Sequence, residues 1–323
     1  MKAGSALPAG DGPGDGGGAE ASGAAGAHKA LSGVDYRAIG ERLKAYRVGA
    51  SLLAEDVAER LGVSRAVVYR MEKGDIVKIE TLESLAQLLG TTLASLLGVE
   101  VEYYPTALGL FERMRQLELG AERILAHFEP ISVLLTSDQY LGHLRQMLVE
   151  GAPRVGGKPM PLADIDNILA IMAERKAHFE RRRPHILSLI GLRELERFVL
   201  TGLVGRVDLP EPVRAQRVEA ARHEVRRIAD LMESEPLHVQ IGLIDDAMPS
   251  STFQLFAGPE RNVVAVSPFR LGELPNVRNG IATVTASPEA TAMHEAMIAR
   301  LWKQAYKGKA GAQMLRQLVE RIR

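Results

Sequence analysis

Arg65, Arg70 and Lys73 fall in a 22-residue stretch, Leu53 to Gly74, whose spacing suits the reading of an anionic polymer. Val57, Ala58 and Leu61 recur at i, i+1 and i+4, which predicts a short helix over 54–61 with one inward stripe. Gly62 ends it, because glycine enters the left-handed region cheaply. Val63 is expected as a buried plug, and Ser64 as the N-cap whose oxygen accepts the first free amides of a second helix over 65–72. Val68 and Met71 face inward there, leaving Arg65, Ala66, Val67, Tyr69, Arg70 and Lys73 outward. A short helix with outward arginines fits a major groove, where guanidinium groups pair with the guanine O6/N7 edge.

The stretches VAERLGVS, SRAVVYRMEKG and TLESLAQLLGTTLASLLG together resemble a lambda-repressor/Cro-type helix-turn-helix domain of the XRE family, over Tyr36 to Leu97. The resemblance implies a five-helix DNA-binding domain. In it Arg65, Ala66 and Arg70 face base edges, Ser64 approaches phosphate, and Arg47 pairs with Glu72 to tie the first helix to the recognition helix. Ala54 stands where many relatives carry a glutamine that touches the DNA backbone, so Ser64, Lys73 and Lys78 are expected to supply that anchoring.

Forty basic residues balance forty acidic ones, so no polycationic footprint exists. Affinity for DNA must come from charges arranged on one face. The absence of cysteine excludes disulfides and thiolate metal sites, and no apolar run approaches a membrane span. A cytoplasmic protein without membrane contact is the expectation.

The Gly/Ala-rich segment 1–33 reads as a disordered tail, followed by the DNA-binding domain at 34–98, with a fourth helix over 82–89 capped by Thr81 and a fifth over 93–97. Residues 99–128 are expected to be an extended connector and one long helix from Thr106 to His127, which either carries a dimer seam or packs on its own domain. Residues 129–323 read as an α+β sensor domain with a small, partly antiparallel sheet. Its strand candidates are 237–244, 251–256, 262–267 and 280–286, with helices before and after. The basic run Arg175 to Arg183 reads as a solvated helix end. This half also resembles, loosely, the domain behind the same helix-turn-helix in many actinobacterial regulators, through SDQYLGHLRQML and HVQIGLIDDAMPSSTFQLF; that implies sensing or partner binding.

Enzyme motifs fail. Ile298 occupies the place of the second histidine that a zinc helix starting at His294-Glu295 would need, and neither GxSxG nor a phosphate loop occurs. Asp245, Asp246, Ser250, Ser251 and Thr252 are polar groups in one loop, which suits an ordinary turn or a ligand contact. No catalytic residue, metal or cofactor is therefore expected. The reading is a repressor acting as a homodimer on double-stranded operator DNA, controlled by a small-molecule effector or a small partner protein. The alternatives are an antitoxin-like protein that masks a partner and autoregulates its operon, and a DNA-tethered enzyme of the ADP-ribosyltransferase kind built on Ser251-Thr252 and Glu289 or Glu295.

Overall fold

The computed structural model describes residues 35–75, 79–99, 101–151 and 159–322. The predicted tail and Lys78 lie outside the described residues. Tyr36 to Arg323 form one compact unit.

Five helices open it: α1 (Tyr36–Gly49), α2 (Ala54–Leu61), α3 (Arg65–Glu72), α4 (Ile79–Leu88) and α5 (Leu93–Leu97). Helix α4 begins before Thr81, so Thr81 lies inside the helix and does not cap it. Then come β1 (Glu102–Tyr104), α6 (Ala107–Gly120), β2 (Arg123–His127), α7 (Tyr140–Glu150), α8 (Leu162–Arg182), β3 (His185–Gly191), α9 (Leu192–Thr201) and α10 (Glu211–Ser234). The chain finishes with β4 (Val239–Ile244), β5 (Thr252–Ala257), β6 (Asn262–Ser267), β7 (Ala282–Thr285), α11 (Pro288–Gln304) and α12 (Gly308–Arg321).

The sheet is larger than expected. Among the described residues it has seven strands in the order β1-β7-β6-β5-β2-β3-β4; β2, β3 and β4 run parallel, and the other pairings are antiparallel. Successive side chains of a strand alternate between its faces. Ile124, Ala126 and Phe128 accordingly join the core under α6, α8 and α10, while Leu125 joins a smaller cluster with Ile298 and Leu301 of α11. Burial on both faces explains why β2 and β3 lack the apolar–polar alternation of a half-solvated strand.

The single long helix expected from Thr106 to His127 is instead a helix, a turn and a strand. Nor is α6 available as a dimer seam, because ten of its residues are buried. It packs against α1 on one side and α8 on another. The contact with α1 is a backbone crossing: a Cβ added to Gly49 would meet Gly109 Cα at 2.9 Å. Tyr46 of α1 stacks on Tyr104 of β1, with ring centroids 4.8 Å apart.

Ion pairs buried in this joint fix the head to the sheet. Glu102 accepts from Arg113 Nε at 2.9 Å, Arg113 Nη2 at 3.0 Å and the Tyr104 hydroxyl at 2.7 Å. Arg42 Nη1 stands 3.6 Å from the same carboxylate, while its Nε donates to the Leu96 carbonyl at 2.6 Å. The run Arg175 to Arg183 also departs from expectation: Arg175 and Lys176 are buried. Arg175 pairs with Glu118, and Lys176 donates to the Thr136 carbonyl.

Glu112 of α6 lies 3.1 Å from Lys44 of α1 and 2.8 Å from Arg115. Burial opposes its ionised form, but the hydrogen bonds and charges of Arg115 and Lys44 prevail and hold its carboxyl below the usual glutamate value. A carboxyl depressed on folding contributes stability above its unfolded value of 4.5, and that contribution is lost as pH falls through the folded value. Glu112→Gln is therefore expected to flatten the decline of urea midpoints between about pH 5 and pH 3, while lowering stability at neutral pH.

Candidate nucleic-acid interface

Helix α3 is held by its inner face. Val68 and Met71 are 1% and 4% exposed, and Arg47 Nε of α1 meets Glu72 Oε1 at 2.5 Å while Arg47 Nη1 donates to the Leu52 carbonyl at 2.8 Å. Gly40 lets α1 pass the end of α3, since an added Cβ would meet the Glu72 carbonyl oxygen at 2.6 Å. Gly62 ends α2 at φ 66°, in the left-handed region, and turns the chain toward α3.

The outer face presents Ser64, Arg65, Ala66, Tyr69, Arg70 and Lys73, all exposed. Three expectations need correction. Ser64 has the extended backbone of an N-cap, but its hydroxyl makes no capping hydrogen bond. Val67 is half-buried against the core and so offers little to a ligand, and Val63 is half-buried too. Val63 and Val67 both pack against the core of the head from its edge, which leaves each of them partly covered. Ala54, at the position where the family resemblance expects a glutamine, is 2% exposed and packs inward.

The arginines do not point freely into solvent. Arg65 Nη1 lies 2.7 Å from Glu55 Oε1, and its Nε and Nη2 donate to the Tyr69 hydroxyl at 3.3 and 3.1 Å. The guanidinium carbon sits 5.2 Å from the Tyr69 ring centroid. The hydrogen bonds that Arg65 donates to Tyr69, and then the charge of Glu55, raise the Arg65 pKa further. Arg70 Nε lies 3.6 Å from Asp75 Oδ2. Sequence reasoning missed Glu55 and Asp75 as members of this face. The available signal was position: Glu55 is the second residue of α2, and the tight turn at Gly62 brings that end of α2 beside the start of α3.

Glu55, Arg65 and Arg70 have solvent-exposed side chains, so ligand groups can compete for them. A planar guanidinium can exchange a surface carboxylate for a phosphate or a guanine edge with little reorganisation. The polar loop residues Asp245, Asp246 and Ser250 lie apart, at the carboxyl end of β4. Among the described residues, no His/Cys/Asp/Glu group is arranged to hold a metal ion. No described helix is long and apolar enough to cross a membrane.

Residues 38–97 match the family model of the helix-turn-helix domain, which covers α1 from its third residue and all of α2 to α5. Comparison of the whole chain with curated proteins gives no match.

Proposed function

We propose that the chain is a sequence-specific DNA-binding transcriptional regulator that inserts α3 into the major groove. The observation that carries this reading is the division of α3 within a helix-turn-helix domain: a pinned inner face, and an outer face with Arg65, Arg70 and Lys73 exposed. The order and lengths of α1 to α5 favour a lambda-repressor/Cro-type head of the XRE kind. In this reading the protein represses, and it binds a pseudo-palindromic operator as a homodimer. The sheet-containing half serves as a sensor whose effector shifts the population of binding-competent dimers. Because the head and the sheet share the Glu102 joint, control would act by repositioning whole subunits and not by swinging the head on a hinge.

Arg65→Ala and Arg70→Ala are each expected to relax base preference at one position of the selected site, by ~1–3 kcal/mol. Lys73→Ala is expected to weaken all duplexes alike and to reduce the salt slope by about one ion. Competition binding against single-base variants of the site checks this. Unchanged preference in both arginine variants would remove α3 from the role of reader.

A further inference from the structure

Glu55 lies outside the set of groups expected to touch DNA, yet it is the closest charged neighbour of the first outward arginine. Its carboxylate takes Nη1 of Arg65, while the Tyr69 hydroxyl takes Nε and Nη2 and the Tyr69 ring lies beneath the guanidinium. Arg65 is thus held from two sides by residues of two helices. An arginine held this way loses less side-chain freedom when it docks on a base edge. A carboxylate on Nη1 also repels a phosphate oxygen that approaches the same guanidinium. A base edge presents neutral acceptors, whose partial charges meet a weaker repulsion than a full phosphate charge does.

We propose that Glu55 is a selectivity residue: by occupying and positioning Arg65 it suppresses attachment to the phosphate backbone and reserves this arginine for a guanine edge in the correct site. This rests on the reading of α3 as the DNA-contacting helix and assigns a discriminating role within it. Specificity is a difference of affinities, and a built-in repulsive element is one way to create it. Tyr69 is the second positioning group, through its hydroxyl.

The test uses the full chain and the best duplex it recovers from a random pool, with a scrambled duplex of equal length beside it. Glu55→Gln is compared with Glu59→Gln, which removes one exposed charge from the same helix at a position away from Arg65. Circular dichroism melts confirm that both variants stay folded. The proposal expects Glu55→Gln to bind the scrambled duplex roughly 3- to 10-fold tighter, with a salt slope steeper by about 0.9, while affinity for the selected site changes less, so the specificity ratio falls. Glu59→Gln should shift both duplexes together and leave the ratio intact. Tyr69→Phe should lower affinity for the selected site more than for the scrambled one. Equal behaviour of the two glutamine variants, or an unchanged ratio in Glu55→Gln, overturns the role of Glu55. Failure of the unmodified protein to enrich any duplex overturns instead the DNA-binding reading beneath it.

Discussion

Glu102→Gln is expected to destabilise the protein by about 3–5 kcal/mol, because it removes the nearest counter-charge from two buried guanidinium groups and leaves Arg113 with the more distant Glu41 at 3.6 Å. The Glu102 side chain is 7% exposed, Arg113 2% and Arg42 4%. Their mutual attraction acts where water cannot screen it, and neither arginine can shed its proton. The carboxylate also accepts from the Tyr104 hydroxyl, whose own ionisation is suppressed by burial and then by Glu102, so the phenol stays a donor. The substitution should loosen the α1, β1 and α6 junction first, since all three elements contribute to the cluster: Arg42 from α1, Glu102 and Tyr104 from β1, and Arg113 from α6. Chemical unfolding followed by far-UV circular dichroism measures the loss. Arg37→Ala, which breaks an exposed pair with Glu41 at 3.5 Å, is the contrast and should change stability by no more than about 0.5 kcal/mol.

Removing Arg175 should have an effect of similar size. Its Nη2 reaches Glu118 Oε1 at 2.7 Å and its Nε reaches Oε2 at 3.0 Å, with the side chains 1% and 3% exposed. This fork ties α8 to α6 beneath the sheet. Arg175→Met is expected to cost about 3–5 kcal/mol, because it strands a buried carboxylate. Adding Glu118→Leu should restore much of that loss, since a pair of apolar side chains leaves no uncompensated charge. Additive losses in the double variant would show instead that each side chain matters through its packing alone.

The two joints also show where sequence reasoning reaches and where it stops. The inner face of α3, the turn at Gly62 and the Arg47–Glu72 tie were legible, because they depend on residues close in sequence or matched as a set by the family resemblance. Strand β2 was not: Leu117, Ala121, Ile124, Leu125 and Phe128 continue a helical spacing across the break at Gly120. Strand β3 is not legible because it is a short apolar run between two helices, buried on both faces, with no alternation to reveal it. With β1, β2 and β3 unseen, the sheet looked small and wholly C-terminal. Arg175 looked solvated for a related reason: its partner lies 57 residues away, and charge alone does not reveal a distant carboxylate. On the recognition face, the residue types were readable but their engagement was not. The place of Glu55 at the start of α2 puts it near Arg65 across the turn, but the sequence does not show that the two side chains pair.

The most direct test of the account is fluorescence anisotropy of the purified full chain with the DNA upstream of its own coding sequence, set against a random duplex across a salt series. The account predicts nanomolar binding to the upstream DNA that weakens as salt rises and exceeds binding to the random duplex at every salt concentration. Equal binding to both duplexes, or binding to neither, would contradict it.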